Sequence, residues 1–263
     1  MFQGVLQKML TEIGNPVRYY LQLQNDFLVV NELINRKIKL SFSHFQCLNC
    51  GSEQPIFRQG FCKKCFFEVP QAADWIMHPE LSKAHLDIEE RDLDYEKRMQ
   101  LQPHYVYLAN SSSVKVGVTR KSQTPTRWID QGAHEALVIA ELPNRYLAGV
   151  TEVALKQHIS DKTNWRKMLT NSVENIDLKK VKLDLLPFIP KKVKPYVIQT
   201  EEIQIHFPVE KYPTQIKTLN LLKTPTYEGT LTGIKGQYLI FEDDTVFNVR
   251  SNEGLVVGLT IVN

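Results

Sequence analysis

The sequence predicts an α+β fold for this chain of 263 residues. Residues 17–41 and 203–263 are rich in β-formers and partly alternate, which indicates strands. Residues 104–169 read instead as strand, strand, helix, strand, helix. Between these stretches lie four cysteines in two Cys-x2-Cys pairs. A hydrophobic content of 43% is enough to fill a sizeable core, which excludes a wholly disordered chain.

These shifts in composition divide the chain into five segments. We expect a β-rich segment over 1–45, a cysteine segment with a charged connector over 46–103, a central α+β domain over 104–170, a basic connector over 171–202 and a β-rich domain over 203–263. The β-rich ends are expected to form small, barrel-like units or sheets.

Charge and hydropathy exclude some functions. The 32 basic and 29 acidic residues give a net charge of +3, which is too weak to require a nucleic-acid partner but permits a local basic face. No run of about 18 apolar residues is present, so we expect no membrane span. The first ten residues mix in polar side chains too early for a signal peptide, and we expect a cytoplasmic protein.

The cysteines carry the strongest signal. They are Cys47, Cys50, Cys62 and Cys65. Each pair places two thiolates on a tight turn, and Zn²⁺ takes four such soft ligands in a tetrahedron. Gly51 and Gly60 flank the pairs, where a knuckle needs unusual dihedral angles. Two disulfides or a redox motif are the alternatives, but the absent signal peptide and the closeness of the pairs disfavour them. A structural zinc ribbon is predicted, with no open metal position for catalysis.

The central segment can be assigned element by element. Residues 104–109 and 114–119 are two short strands joined by a turn that begins at Asn110. A short helix is expected from Pro125 to Gln131, with Thr124 as its N-cap. Residues 136–142 form a third strand, and Asn144 can cap a helix that runs to about Ile159.

Two charged stretches flank this segment. Residues 79–102 alternate in sign and read as a solvated helix or linker. Residues 171–202 combine lysines with prolines, which break helices, so we expect an extended connection with a basic strip that contacts phosphates. The lysines of the strip are Lys179, Lys180, Lys182, Lys191, Lys192 and Lys194.

The hairpin carries a resemblance to a known family. Tyr105-Val-Tyr107 and, seven residues later, Lys115-Val-Gly117 resemble the signature of GIY-YIG nucleases. Arg127 and Glu152 stand where that family has an arginine and a glutamate. The resemblance covers about residues 104–165 and implies a three-stranded antiparallel sheet with helices.

The resemblance also implies a site for cleaving phosphodiesters. Glu152 would hold one Mg²⁺ or Mn²⁺, and Arg127 would clamp the phosphate oxygens. Tyr107 would orient or deprotonate a water, with Lys115 and Arg120 supplying a positive field.

The sequence departs from the signature in several places. Tyr105 replaces its first glycine and Lys115 its second tyrosine. Gln131 stands where a histidine is common. These departures leave open a descendant that binds without catalysis.

More of the chain resembles a bacterial family known as domain of unknown function 2797. The matching segments are residues 60–66, 107–109, 115–120, 126–133, 161–165 and 233–238. This resemblance implies no activity.

Two functions of different class follow from these observations. One is a metal-dependent endonuclease whose zinc ribbon and flanking β units grip DNA or RNA. The other is a module that binds nucleic acid without cleaving it, or docks on a machine such as a polymerase or ribosome. A purely structural scaffold is a third possibility.

Overall fold

The computed structural model describes residues 1–23, 26–160 and 162–262. Asp161 lies outside these ranges. It is the first residue of segment 161–165, one of the segments that resemble domain of unknown function 2797. The fold is mixed α+β and divides into two compact units. The first unit comprises residues 1–67, 169–171 and 205–263, and the second comprises residues 68–168 and 172–204. The boundary at 67/68 falls inside the segment predicted to run from 46 to 103.

The secondary structure of the described residues is as follows. The strands are β1 (Phe2–Val5), β2 (Leu10–Glu12), β3 (Arg18–Leu23), β4 (Asp26–Val29), β5 (Lys37–Phe45), β6 (Ile56–Arg58), β7 (Phe61–Cys62), β8 (His104–Asn110), β9 (Val114–Arg120), β10 (Glu135–Leu142), β11 (Ile203–Gln204), β12 (Lys217–Thr218), β13 (Thr226–Lys235), β14 (Tyr238–Phe241), β15 (Thr245–Asn248) and β16 (Leu255–Val262). The α-helices are α1 (Lys63–Glu68), α2 (Leu93–Gln100), α3 (Thr126–Asp130), α4 (Arg145–Leu155), α5 (Trp165–Leu169) and α6 (Leu178–Leu185). Short 3-10 helices span Val30–Leu33, Pro70–Ala72, Asp74–Ile76, Pro79–Leu81, Ala84–Leu86, Lys121–Gln123, Leu186–Phe188, Lys191–Tyr196 and Arg250–Asn252.

The first unit is built on one seven-stranded sheet. Its strand order is β1-β16-β5-β13-β14-β15-β12. Strand β5 lies between two strands from the other end of the chain, and Ile38 pairs with both Gly229 and Ile261. Ile38 and Leu40 alternate with exposed lysines along β5 and are buried. The two β-rich ends therefore share one sheet instead of forming separate units.

The barrel-like form expected for these ends is not found. Over the described residues the seven-stranded sheet is open, with β1 and β12 at its two edges. A second, three-stranded sheet has the order β2-β3-β4, and β6 pairs with β7 in a short hairpin.

The second unit is built on a four-stranded antiparallel sheet in the order β11-β10-β8-β9. The predicted succession of strand, strand, helix, strand, helix is confirmed, and β11 adds a short edge strand to the three expected. Val106 and Leu108 of β8 belong to the hydrophobic core, which continues onto α4 and α6 through Ala148 and Leu185.

The predicted helix caps have mixed outcomes. Asn144 caps α4, since its side-chain oxygen accepts a hydrogen bond from Leu147 N at 2.9 Å. This helix ends at Leu155, four residues before the predicted end. The prediction for Thr124 is wrong, because its hydroxyl donates to Lys121 O at 2.7 Å and Pro125 occupies the N-cap position of α3.

The charged segment 79–102, predicted as a solvated helix or linker, contains the helix α2, which is partly buried and so is not fully solvated. Glu96 of α2 is buried, and its carboxylate accepts hydrogen bonds from the backbone N–H groups of Glu90, Arg91 and Asp92. These bonds satisfy the backbone N–H groups of the turn before α2. The alternating charges in the sequence do not indicate this turn.

The basic segment 171–202 is likewise helical where an extended connection was expected. Asp177 caps α6 by accepting hydrogen bonds from Lys179 N at 2.8 Å and Lys180 N at 3.1 Å. The prolines follow α6 and lie in or beside 3-10 turns, where their fixed φ is tolerated. Among the described residues, no helix combines the length and apolar character needed to cross a membrane.

Candidate functional site

The four cysteines come together in the first unit. Cys62 ends β7 and Cys65 lies in α1, so one hairpin and one helical turn present the second pair to the first. All four Sγ atoms lie within 4.8 Å of one another. The Sγ atoms of Cys50 and Cys62 are 3.9 Å apart, far beyond the 2.05 Å of a disulfide. A tetrahedral Zn²⁺ with Zn–S bonds of about 2.3 Å holds sulfur atoms about 3.8 Å apart.

Two glycines shape the turns around the cysteines, as the sequence predicts. Gly51 has a φ of +71°, and its N–H donates to Cys47 O at 2.9 Å. Gly60 has a φ of +79°, and a Cβ there would lie 2.3 Å from a side-chain carbon of Leu48. Any other residue would be strained at both places, so the knuckle depends on them.

Hydrogen bonds to sulfur prepare the thiols to bind a cation. Cys62 N donates to Cys47 Sγ at 3.3 Å, and Asn49 Nδ2 donates to Cys65 Sγ at 3.3 Å. The Ser52 hydroxyl, 3.2 Å from Cys50 Sγ, lowers the pKa of that thiol, and with the Ser52 backbone and the neighbouring thiols it brings the pKa to about 6.

The pKa of Cys65 shifts in the opposite direction from that of Cys50. The Asn49 amide lowers the pKa of Cys65, but burial and the neighbouring thiols together raise it to about 12. Four neighbouring thiols do not all ionise unless a positive charge lies among them. A divalent metal ion supplies that charge. The cluster is therefore compatible with zinc, and its four protein ligands fit a structural role.

A second cluster lies on the sheet of the second unit, around Tyr107. Tyr107 on β8 pairs directly with Gly117 on β9, and the tyrosine is fully buried. A Cβ at position 117 would come within 2.7 Å of the tyrosine hydroxyl oxygen. The tyrosine ring therefore lies over the backbone of Gly117. The rings of Tyr107 and Trp128 pack edge to face, with their centroids 5.8 Å apart.

The hydroxyl of Tyr107 has polar neighbours. It donates to Gln131 Oε1 at 3.1 Å. Burial raises the pKa of Tyr107, Arg127 and Gln131 partly offset that rise, and Glu152 adds to it. The net direction is upward, so the hydroxyl stays protonated near neutral pH. The expectation that Tyr107 deprotonates a water does not fit this setting, whereas a role as hydrogen-bond donor does.

Helix α4 supplies the acidic member of the cluster. Arg145, Gly149, Glu152 and Lys156 follow one face at helical spacing. Glu152 is 8% exposed, and Lys156 Nζ lies 3.7 Å from its carboxylate. Gly149 does not leave open space beside it, because a Cβ there would lie 2.2 Å from Glu80 N. The glycine instead lets the segment around Glu80 pack onto the helix.

Arg145 is a further member of the cluster, and it is not among the residues predicted from the sequence. Its guanidinium donates to the backbone oxygens of Trp75 at 3.1 Å and Ile76 at 2.8 Å, and it lies 5.4 Å from the Trp75 ring. Burial lowers the pKa of Arg145 to about 10, while the carboxylate of Glu152 raises it. A signal was available, because an arginine in the first turn of a helix opposes the macrodipole and has to be placed by other contacts.

The other predicted catalytic residues, Arg120 and Lys115, have polar partners of their own. Arg120 donates a hydrogen bond to Met99 Sδ at 2.8 Å. Its positive charge lowers the pKa of Arg145. Lys115 is 5% exposed and donates to the hydroxyl of Thr163. Arg127 supplies positive charge beside Tyr107, since its charge and its hydrogen bond lower the pKa of the tyrosine.

The predicted basic strip separates into surface and interior residues. The exposed lysines are Lys179, Lys180, Lys191, Lys192 and Lys194. Lys182 is buried, and its Nζ donates to Val138 O at 2.9 Å and to Ile198 O. Its assignment to the phosphate-binding strip is wrong, because this ammonium fixes α6 to the sheet.

The fold and the cysteine cluster define a mixed α+β protein with a four-cysteine site that fits zinc. The chain belongs to the family described as Protein of unknown function (DUF2797), which it matches over residues 35–257. No curated protein matches the chain. No solved structure matches it either.

Proposed function

We propose that this protein binds nucleic acid and cleaves phosphodiester bonds at the Tyr107 cluster. One observation carries the proposal: Arg127, Gln131 and Glu152 all interact with the Tyr107 hydroxyl, which lies beside Gly117. The tyrosine, glycine, arginine and glutamate, in the same order of elements, belong to the signature of the GIY-YIG nucleases that the hairpin resembles, whereas Gln131 stands where that family commonly has a histidine.

Each side chain has a distinct task in this proposal. Arg127 is half-buried, so its guanidinium can reach both solvent and the tyrosine, and it clamps two phosphate oxygens. Tyr107 keeps its proton, and with substrate bound it would turn that proton from Gln131 Oε1 to the attacking water or to the phosphate. Arg145, fixed by two backbone carbonyls, stabilises the charge that develops on the phosphate.

Glu152 would hold the divalent cation. Over the described residues, the cysteines are the only group of three or more cysteine, histidine or acidic side chains close enough to share a metal. A Mg²⁺ at Glu152 would accordingly have one carboxylate ligand and keep most of its waters, as Mg²⁺ commonly does. Lys156 Nζ lies 3.7 Å from the Glu152 carboxylate and neutralises its charge. A bound cation would take the place of this ammonium group.

Binding would draw on the rest of the molecule. The exposed lysines at 179, 180, 191, 192 and 194 supply positive charge for phosphates. The zinc site would hold its knuckle rigid as a second contact surface. DNA and RNA share the phosphate chemistry on which these contacts depend.

The test is a nicking assay with supercoiled DNA and with RNA, in the presence of Mg²⁺ or Mn²⁺. Glu152→Gln keeps the side-chain shape but removes the charge that holds the cation, so it should abolish cleavage and leave binding nearly unchanged. Glu242→Gln, at an exposed carboxylate of the first unit, is the matched control and should cleave normally. Cleavage that survives in Glu152→Gln would refute the assignment.

A second function is favoured by the burial of Tyr107. A hydroxyl that is fully enclosed and already bonded to Gln131 also suits a site retained for packing. The protein would then bind nucleic acid, or dock on a polymerase or ribosome, without catalysis. Binding with no cleavage of either nucleic acid under any divalent metal would select this function.

A further inference from the structure

Three phenylalanines cluster beside the cysteine site. Phe57 lies on β6, and Phe66 and Phe67 follow Cys65 in α1. Their ring centroids are 5.2 Å apart for Phe57–Phe66, 5.8 Å for Phe57–Phe67 and 5.4 Å for Phe66–Phe67. Phe57 is 43% exposed and Phe67 is 58% exposed. The knuckle thus presents a connected aromatic surface to solvent.

Packing alone does not account for this exposure. A phenylalanine that belongs to a core is mostly buried, whereas a contiguous exposed apolar patch marks an interaction site. The metal site fixes the position of the patch, because β6 pairs with the strand that ends at Cys62 and α1 contains Cys65. Because the rings are held in place before a partner binds, the entropic cost of binding is lower.

The charges around the rings are mainly positive. The guanidinium of Arg58 lies 5.4 Å from the Phe57 ring centroid, and Lys63 and Lys64 are exposed at the start of α1. Lysines in the first turn of a helix oppose its macrodipole, so helix stability does not explain them. Glu68, at the end of α1, and Glu53, 3.9 Å from His44, are the acidic neighbours along this segment.

We infer that the phenylalanine surface, made of Phe57, Phe66 and Phe67 with Arg58, Lys63 and Lys64, stacks unpaired bases of a single-stranded nucleic acid. Exposed rings bordered by cations are the pattern that such recognition uses, since each base offers a flat π-face and each nucleotide a phosphate. Paired bases within a duplex hide those faces. The inference deepens the proposed function and rests on it, because it names the strand state that the protein engages.

The experiment measures Kd by fluorescence anisotropy for a labelled oligothymidine and for a duplex of the same length, with the zinc-loaded chain of 263 residues. The variant Phe57→Ala/Phe67→Ala should weaken single-strand binding about tenfold or more, the scale expected for losing stacked bases. Duplex affinity and the salt dependence should change little, because every charge remains. Phe27→Ala is the matched control, since Phe27 is 59% exposed on β4 of the same unit, and it should bind as the parent does.

The other outcomes separate the two proposals. If the parent binds duplex but not the oligothymidine, or the double variant binds both as the parent does, the inference falls and the proposed function stands. If the parent binds neither, the proposed function falls with it, and the patch becomes a candidate for protein docking.

A conservative variant covers the case in which the double variant loses zinc or fails to fold. Phe67→Trp keeps an aromatic ring, and stacked bases should quench the added fluorescence relative to the parent. Binding without that quenching would overturn the inference.

Discussion

The hydroxyl of Tyr107 and the α-carbon of Gly117 are cross-strand neighbours with no room between them. A methyl group at 117 would lie 2.7 Å from the hydroxyl oxygen and 2.8 Å from the ring carbon that bears it. The glycine therefore determines where the hydroxyl lies, and through it the contact with Gln131. Position 117 is part of the site although it contributes no side chain.

The first prediction concerns this pair. Gly117→Ala should cost about 1–3 kcal/mol of unfolding free energy, because a buried ring must move to admit the methyl group. Tyr107→Leu removes the clash, so the double variant should be more stable than the sum of the two single losses predicts. Denaturant unfolding of the four proteins measures the coupling. Strictly additive losses would show that the ring does not occupy the space above Gly117.

The second prediction concerns the cysteine site. Metal analysis should find about one zinc per chain, and a chelator should lower the melting temperature, because structural zinc contributes directly to folding. Cys62→Ser should lose the metal and be destabilised. Ser52→Ala, which removes a neighbouring hydroxyl but no ligand, should keep it. A stable protein that is metal-free and has disulfide-bonded cysteines would contradict the assignment.

The third prediction concerns Lys235, which is fully buried in the first unit. Its Nζ lies 5.5 Å and 5.2 Å from the ring centroids of Phe207 and Tyr212 and donates to Asn171 Oδ1 at 3.2 Å. Burial lowers the pKa of Lys235 to about 7, whereas an unfolded lysine titrates near 10.4. Between these values the unfolded chain binds more protons, so stability should rise with pH from about 7 to 10.

A substitution isolates this contribution. Lys235→Met keeps most of the side-chain volume and cannot ionise, so it should lack the rise in unfolding free energy between pH 7 and 10. Lys39→Met, at an exposed position on β5, should keep the rise. Parallel stability curves for the parent and Lys235→Met would show that the ammonium is not buried as described. Zinc must be saturating throughout, since metal binding by cysteines depends on pH.

The sequence could predict what neighbouring residues determine. The spacing of Cys47 to Cys65 and the cap at Asn144 depend on a few consecutive residues, and both appear in the structure as predicted. The pairing of β5 with β13 and β16 joins positions about 190 or more residues apart, and no local pattern encodes it. Arg145 was missed for a related reason, since the backbone oxygens that hold its guanidinium belong to Trp75 and Ile76, about 70 residues earlier in the chain.

The last prediction concerns the exposed lysines of the second unit. One 3-10 helix contains Lys191, Lys192 and Lys194, and the buried Val193 anchors it. Lys192 Nζ lies 5.2 Å from the Tyr146 ring centroid. If they bind phosphates of a duplex, replacing all three by alanine should weaken binding. It should also flatten the slope of log K against log salt by about 0.9 for each phosphate that is no longer neutralised, because fewer counterions are released.

The control for this prediction keeps the net charge equal. Replacing Lys39, Lys83 and Lys223, three exposed lysines scattered through the sequence, removes the same charge without touching the strip. That variant should keep most of the slope, and binding isotherms at four or five salt concentrations suffice to compare them. Equal losses in both variants would mean that only net charge matters. An unchanged slope in the first variant would place the phosphate-binding residues elsewhere, with the zinc knuckle and its Lys63 and Lys64 as the next positions to replace.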